Sequence, residues 1–327
     1  MTQLLALDAG GTSTRAVALD HAGEVLGLGR STAGNPTAAG IVPAAEAVAA
    51  AARAALPEGA TSDVAVLAMA GEQSDAFRAE VEQRLAAYGV TRVVLDHDLL
   101  ALFCSGTASL EGYALIAGTG TVAARVRDGS LERVVGGRGW LLGDAGGGFW
   151  IGREVARAVV AALDGQAEPT ALTQDVLGAL GIVADPGYEA GRVSAIRQLV
   201  SAVYARRPVA LAELAPLAFA AAASGDPVAR RVVVAASEAL ADLLDAVRVP
   251  DLEGPVVVGG SVVARGVLEA PPALSVDLVP PARGVAVTAV PDGLVGAAVL
   301  ALRHTGAEVD DARFDRLRAA IRLPHPA

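Results

Sequence analysis

The first part of the chain reads as three short apolar runs followed by a stretch with helical spacing. The runs at about 3–8, 13–19 and 24–30 predict strands, and a glycine-rich loop through Asn35 leads into an alanine-rich helix at about 41–56. The pattern continues as strand, charged helix, short strand and helix at 64–70, about 75–84, 92–95 and from Asp98. Strands that alternate with helices indicate a wound α/β sheet.

The second part repeats this opening from Tyr113 and then becomes mainly helical. Each copy, at Leu4–Leu19 and Ala114–Val126, has an apolar strand, a Gly/Thr turn and a second strand. This unit is the only duplication, and a boundary between two halves falls near Gly112. The later predicted elements are a helix from about Gly147 to Leu163, a mainly helical insertion at about 168–248, strands at 255–258 and 285–290, a helix at 294–302 and an amphipathic helix at 308–322.

Composition excludes several classes of nucleotide and cofactor chemistry. The 327 residues are 53% hydrophobic, which allows a sizeable core, and the net charge of −10 without a basic block argues against a nucleic-acid partner. All 26 cationic side chains are arginine, so a Walker P-loop, a protein-kinase strand lysine and a Schiff base are excluded. Cys104, the only cysteine, excludes an intramolecular disulfide and a cysteine-rich zinc or iron–sulfur site.

Targeting signals are not apparent in the sequence. A strand is predicted at the N-terminus without the basic and apolar regions of a signal peptide. No uncharged apolar run approaches the ~20 residues that a membrane helix needs. We therefore expect a soluble cytoplasmic protein with no membrane partner.

The two Gly/Thr turns predict a site for a polyphosphate. Glycine lets the backbone approach a bulky anion and threonine adds a hydroxyl, so two facing turns could hold the anion between two halves of the molecule. Asp8 would lie near a bound Mg²⁺, mostly through water. The alternative for each turn alone is an ordinary tight turn. The predicted phosphate-binding residues are Gly10, Gly11, Thr12 and Ser13 in the first turn, and Gly118, Thr119, Gly120 and Thr121 in the second.

A third glycine site follows the strand at 255–258. Gly259, Gly260 and Ser261 open a helix, and a helix N-terminus with glycines suits a nucleotide. An ordinary strand-to-helix turn remains the alternative for this segment.

Asp98 lies where a strand passes into a helix. It is a candidate acceptor of a substrate hydroxyl proton, whereas the alternative is a helix N-cap. Asp96 is a competing candidate. His97 is expected to be packed or exposed and not a metal ligand, because no second His or Cys lies nearby in the sequence.

Two further segments suggest contacts with a polar ligand. Residues 136–152 are glycine-rich and contain both tryptophans, which favours close backbone approach to a ligand, with Asp144 bonding paired hydroxyls; a flexible loop is the alternative. Asn35 is the only asparagine, and its alternative role is that of a turn residue before Pro36.

In this order, these pieces resemble the N-acetylglucosamine kinase branch of the BadF-type ATPase family, within the acetate/sugar kinase, Hsc70 and actin superfamily. The resemblance extends from Asp8 to the helix after Asp292 and Gly293. It implies an α/β, two-lobed actin-like ATPase (ribonuclease H-like) fold with a cleft between the lobes. The lobes are expected at 1–112 and 113–292, and the first of the C-terminal helices at 293–327 would pack back on the N-terminal lobe.

The resemblance also implies a function for each motif. The protein would be a kinase that uses ATP and Mg²⁺ to phosphorylate the 6-hydroxyl of an amino sugar, with Asp98 as catalytic base. Positions matching Asn35, Thr119 and Asp144 contact the sugar in the family, the two Gly/Thr turns hold phosphate, and the turn at 259–261 borders adenosine. The family often forms homodimers, although the sequence identifies no interface.

Departures from the family leave further functions open. Many relatives have Trp, His, Glu and Ser where this chain has Arg138, Trp140, Ala145 and Gly147, so the sugar could also be glucosamine or N-acetylmuramate. The same motifs would also suit a non-catalytic nucleotide-binding regulator, or an ATPase coupled to a partner protein. Relatives that activate dehydratases share an iron–sulfur cluster, which one cysteine cannot build. The zinc-containing branch of sugar kinases is disfavoured for the same reason.

Overall fold

Two five-stranded sheets with the same strand arrangement form the framework. The computed structural model describes residues 3–71, 73–183, 187–189, 191–263 and 287–322. In each sheet three antiparallel strands are followed by two parallel ones, in the orders β3-β2-β1-β4-β5 and β8-β7-β6-β11-β12. The strands are β1 Gln3–Ala9, β2 Thr14–Leu19, β3 Val25–Ser31, β4 Ser62–Met69, β5 Arg92–His97, β6 Gly112–Ala117, β7 Thr121–Arg127, β8 Ser130–Gly136, the small hairpin β9 Tyr188–Glu189 and β10 Arg192–Val193, then β11 Val256–Gly259 and β12 Val287–Ala289. The predicted α/β class and the duplication are confirmed.

Helices cover both faces of each sheet. They are α1 Pro36–Ala39, α2 Ile41–Ala55, α3 Asp75–Leu85, α4 Asp98–Gly106, α5 Gly139–Leu142, α6 Gly148–Leu163, α7 Leu172–Ala179, α8 Ser194–Tyr204, α9 Ala215–Ala223, α10 Pro227–Asp245, α11 Ser261–Val263, α12 Leu294–His304 and α13 Asp311–Ala320. Two 3₁₀ helices lie at Ala86–Tyr88 and Pro208–Leu214. The predicted mainly helical insertion is present as α7 to α10, whereas α1, α5 and the small hairpin were not predicted. Residues 285–286 of the predicted last strand lie outside the described residues.

Helices α4 and α12 lie between the two sheets. One core cluster joins Leu4 and Val66 of the first sheet, Phe103 and Leu300 of the two helices, and Val257 of the second sheet. Helix α12 contacts β1, β2, β4 and α4. Separate clusters bury the outer faces, with α2 and α3 on the first sheet and α6, α7, α9 and α10 against the second. The two sheets therefore share one central layer of helices.

The close approach of α4 and α12 depends on Gly296. A Cβ added there would lie 1.7 Å from the Ala101 carbonyl oxygen, and the Gly296 N–H donates to Ser105 Oγ at 2.8 Å. Any side chain at residue 296 would therefore force the two helices apart.

We expect Gly296→Ala to destabilise the protein by about 1–3 kcal/mol or more, because the added methyl group overlaps main-chain atoms. Gly178→Ala is the matched control, since a Cβ at this helical position meets nothing within 4 Å. The control should raise the free energy of unfolding by about 0.5–1 kcal/mol. Denaturant unfolding measures both changes, and equal stability of the two variants would contradict this packing.

None of the helices in the described part of the chain has both the length and the apolar character of a membrane span. Only the pair 208–223 and 227–245 meets the criteria together, and these two segments are bent by 116° relative to each other.

Candidate active site

Three glycine turns follow the ends of strands. The first glycine turn (residues 10–13) follows β1, the second (residues 118–120) follows β6, and the third (residues 259–261) joins β11 to α11. Gly260 has a φ of +102°, and a Cβ there would lie 2.4 Å from the Ala117 carbonyl oxygen. The third glycine turn therefore lies directly against the start of the second, and only glycine allows this contact.

In each of the first two turns, the N–H of the leading glycine donates a hydrogen bond that closes the turn. Gly10 N–H donates to the Ser13 carbonyl at 3.0 Å, and Gly118 N–H donates to the Gly120 carbonyl at 3.0 Å. In the part of the chain that the structure describes, the amides of Gly11, Thr12 and Thr119 make no backbone hydrogen bond in these turns. The later amides, unlike those of the leading glycines, thus have no hydrogen-bond partner among the residues that the structure describes.

A cluster of charged side chains lies beside the first glycine turn. Arg15 is opposite Asp8 in the β1–β2 ladder, and its Nη1 is 3.6 Å from Asp8 Oδ2. Arg15 Nε is 3.6 Å from Asp292 Oδ2, and Gly293 N–H donates to Asp8 Oδ2 at 3.2 Å. The N-terminal end of α12 is therefore hydrogen-bonded to the carboxylate of Asp8, near the end of β1.

The ionised form of Asp8 is disfavoured by its surroundings. Burial, and then the negative charge of Asp292, raise the pKa of Asp8 to about 7, against the opposing effects of Arg15 and the Gly293 N–H. The charge of Asp98 also raises this pKa, which places Asp98 within electrostatic range of Asp8. The carboxylates of Asp8 and Asp292 both lie near the guanidinium of Arg15, which balances part of their charge.

Asp98 is the first residue of α4, and one of its oxygens is held by neighbours. Leu99 N–H lies 2.8 Å from Asp98 Oδ1, and His97 Nδ1 lies 2.8 Å from the same oxygen. Asp98 Oδ2 accepts no hydrogen bond from the described residues. His97 is the N-cap of α4, and its hydrogen bond to Asp98 raises the pKa of the imidazole despite partial burial.

Asp96, the competing candidate, is engaged elsewhere. Its Oδ2 lies 3.0 Å from Nε2 of His304 at the end of α12, and its Oδ1 accepts from His97 N–H at 3.0 Å. Both oxygens of Asp96 therefore have protein partners, whereas one oxygen of Asp98 has none in the described ranges of the chain.

The predicted sugar-contacting residues have clear structural partners. Asn35 is buried; its Oδ1 accepts from Thr37 N–H at 2.8 Å and caps α1, while its Nδ2 donates to the Ala70 carbonyl at 3.2 Å. Asp144 has a φ of +63°, and its Oδ1 accepts from Thr121 N–H at 3.1 Å. Asn35 is thus the N-cap of α1, a role that was not predicted, and Asp144 is fixed against the second glycine turn.

A cavity of about 400 Å³ adjoins the second and third glycine turns. It is lined by Thr119, Gly148, Ala212, Glu213, Ala215, Pro216, Phe219, Ser261 and Val262. One wall comes from the 3₁₀ helix and α9 of the helical insertion, whose contribution the sequence did not reveal. Another cavity of about 530 Å³ lies between α12 and α13 and includes Asp292, but it contains none of the three turns.

Arg15 is a site residue that was not predicted, whereas Asp292 and Gly293 were noted as the end of the resemblance but were not assigned to the site. The pairing of Arg15 with Asp8 could have been predicted, because the length of the tight turn between β1 and β2 fixes which residues of the two strands lie opposite each other. The contact of Asp292 with Arg15 had no such local signal, because it joins positions far apart in the chain.

Comparisons with known proteins agree with this architecture. A family model described as the BadF/BadG/BcrA/BcrD ATPase family matches residues 5–301. An N-acetyl-D-glucosamine kinase of Dictyostelium discoideum is 32% identical over 157 residues, which cover 47% of this chain and 46% of that protein. Glucosamine kinase GspK of Vibrio cholerae is 31% identical over 183 residues, which cover 54% of this chain and 61% of that protein. The chain thus spans about half the length of the curated relatives it matches.

A solved structure extends the similarity over nearly the whole chain. A candidate N-acetylglucosamine kinase from Chromobacterium violaceum has a TM-score of 0.72 at 26% identity, covering 92% of this chain and 99% of that one. The two-lobed fold predicted from the sequence is therefore confirmed as that of the actin-like sugar kinases. Because the family model covers most of the sequence and the fold agrees along nearly all of it, this protein belongs to the BadF/BadG/BcrA/BcrD ATPase family.

Proposed function

We propose that this protein transfers the γ-phosphoryl group of ATP to the 6-hydroxyl of an amino sugar, with N-acetylglucosamine as the first candidate and glucosamine as the second. The observation that supports this most is the electrostatic proximity of Asp98, which has one open carboxylate oxygen, to Asp8 beside the first glycine turn. The relatives named for these two sugars add the substrate class.

In this proposal, Asp98 is the catalytic base. Its Oδ2 accepts the hydrogen bond of the attacking hydroxyl, orients the oxygen towards the γ-phosphorus and takes the proton late in the transfer. Phosphoryl transfer depends mainly on positioning and charge stabilisation, so a fixed carboxylate is suited to the task. The free amides of Gly11, Thr12 and Thr119 would donate to the phosphoryl oxygens.

The residues around Asp8 fit a hydrated magnesium ion bound together with the nucleotide. No three His, Cys, Asp or Glu side chains among the described residues are grouped to hold a metal. One carboxylate, phosphate oxygens and water form the ligand set that Mg²⁺ prefers. When bound, the ion would neutralise charge on the β- and γ-phosphates, and Asp8 would hold it, mainly through water.

The cavity of about 400 Å³ is the proposed adenosine site, because it adjoins both Thr119 and Ser261. We expect Ala212→Phe to fill part of it and raise the KM for ATP about tenfold or more, while the Kd for sugar stays within about twofold. Ala220→Phe is the control, since Ala220 is exposed on α9 and does not line the cavity. Initial-rate kinetics and sugar titration measure the two effects, and an unchanged KM for ATP would remove the cavity as the nucleotide site.

Recognition of the sugar is assigned to Asn35, Thr119 and Asp144. A site built to bond particular hydroxyl groups rejects analogues that lack them by large factors. The remaining donor of Asn35 and the second oxygen of Asp144 are the groups available for this task, because their other polar atoms bond to the protein.

The direct test measures ADP release with glucosamine, N-acetylglucosamine, N-acetylmannosamine, N-acetylmuramate and glucose. Release that depends on an amino sugar, with the 6-phosphate as product, supports the proposal. Release without any sugar would indicate an ATPase, and ATP binding without release would indicate a regulator. Either of these two results overturns the kinase assignment.

A further inference from the structure

The geometry at the start of α4 points to a role for His97: we propose that its imidazole is a positioning residue that holds the Asp98 carboxylate in the orientation needed to accept the substrate hydroxyl. This inference rests on the proposed function. His97 itself would not touch the substrate.

One proton lies between the side chains of His97 and Asp98. His97 Nδ1 and Asp98 Oδ1 are 2.8 Å apart, and two bare acceptors at this distance would repel each other. The proton must therefore lie on Nδ1, which donates to Oδ1. In that tautomer Nδ1 cannot accept from Leu99 N–H, 3.2 Å away, so this amide donates to Asp98 Oδ1 at 2.8 Å.

The two oxygens of the Asp98 carboxylate have different surroundings. Oδ1 accepts two hydrogen bonds, from the His97 side chain and the Leu99 main chain, while Oδ2 accepts none from the described residues. A short carboxylate at a helix start otherwise has several side-chain rotamers available. The two donors on one oxygen select a single orientation and leave Oδ2 as the oxygen for the incoming hydroxyl.

The main chain of His97 is held in the first sheet. His97 is the last residue of β5, it pairs with Met69 of β4, and its main-chain N–H donates to Asp96 Oδ1 at 3.0 Å. Its side chain is about two-thirds buried. The imidazole is therefore mounted on the end of a sheet strand, which is more rigid than a loop. The raised pKa of His97 agrees with a hydrogen bond to a carboxylate.

The test compares three substitutions at one position. Asn places its Nδ2 where histidine has Nδ1, Phe keeps a ring but has no donor, and Gln places its donor one bond further out. We expect His97→Phe and His97→Gln to lower kcat about tenfold or more, with the KM for the sugar within about twofold, because the base is displaced while sugar contacts remain. His97→Asn should recover most of kcat.

His304→Phe is the matched control. His304 is exposed to the same degree as His97 and also bonds an aspartate, namely Asp96. This variant should keep normal kcat, and thermal unfolding of all variants tests whether their folds are intact. Loss of kcat in His304→Phe but not in His97→Phe would overturn the inference and identify Asp96 as the base.

Two outcomes separate this inference from the proposed function. Sugar-independent ADP release by the unsubstituted protein defeats the proposed function before His97 is considered. A folded His97→Phe variant with full kcat, alongside an Asp98→Asn variant without turnover, defeats only the role of His97. Equal loss in His97→Asn and His97→Phe also overturns it, because the donor at the Nδ1 position would then be irrelevant.

Discussion

Asp98→Asn should lower kcat by roughly 10²–10⁴, while the Kd for the amino sugar changes little, because the amide can still bond a hydroxyl but cannot take its proton. The substitution is nearly isosteric, and the amide oxygen can keep the contacts that His97 and Leu99 make with Oδ1. The fold and the ligand sites should therefore persist.

Steady-state kinetics and sugar titration by calorimetry measure these two quantities for Asp98→Asn. Asp96→Asn is the comparison variant, because Asp96 is two residues away and bonds His304 instead. Near-normal turnover in Asp98→Asn, combined with loss in Asp96→Asn, would transfer the catalytic role to residue 96. A loss of sugar binding equal to the loss of turnover would make residue 98 a binding group and not a base.

Asp8→Asn should make the ligand-free protein more stable at pH 8 and at the same time remove most of its activity. The pKa of Asp8 is raised by burial and by Asp292 to about 7, from an ordinary value of 3.8. The folded state therefore binds this proton more tightly than the unfolded state, so stability falls as pH rises from about 4 to 7 and then levels off.

The asparagine amide of Asp8→Asn stays neutral, so the variant does not lose the stability that ionisation of Asp8 removes. Its free energy of unfolding should therefore exceed that of the unsubstituted protein by about 2–4 kcal/mol at pH 8, and the difference should nearly vanish near pH 4. Turnover should fall by more than about 10²-fold, because the proposed water-mediated hold of Asp8 on the magnesium ion is lost. Urea unfolding in the presence of a chelator, at pH 4, 6 and 8, measures the first effect, and ADP release measures the second.

Asp128→Asn is the control for Asp8→Asn. Asp128 lies in the β7–β8 hairpin with a φ of +51°, a conformation that asparagine tolerates well. Its free energy of unfolding should stay within about 0.5 kcal/mol at each pH. A destabilised Asp8→Asn variant at pH 8 would contradict the electrostatic account of this site, whatever its activity.

Local patterns in the sequence were sufficient for the strands of the two five-stranded sheets and for the three glycine turns, but not for the small hairpin of β9 and β10. Apolar runs between glycines and aspartates specify strand lengths directly, and the duplicated motif specifies that two sheets share one arrangement. Asp98 was a candidate because it lies at a strand-to-helix junction, but capping was an equally available explanation there, and its catalytic role stays a prediction.

Contacts between distant parts of the chain were not predictable in this way. The bond between Gly293 and Asp8 joins residues 285 positions apart, and the partner of Asp96 lies on α12. The hydrogen bond from Thr121 N–H to Asp144 depends on the positive φ of Asp144. A positive φ at an aspartate cannot be predicted from the pattern of residues around it. Such features depend on how the sheets and helices pack, and a single sequence gives no measure of that.

The position of α12 has a consequence for synthesis on the ribosome. The inner faces of β1 and β4 are complete early, but α12, which covers most of them, begins only at Leu294. At translation rates of about 5–20 residues per second, α12 is synthesised roughly ten seconds or more after these strands. During that interval the nascent chain presents an apolar surface around Leu4 and Val66, on which a chaperone that holds unfinished proteins would act.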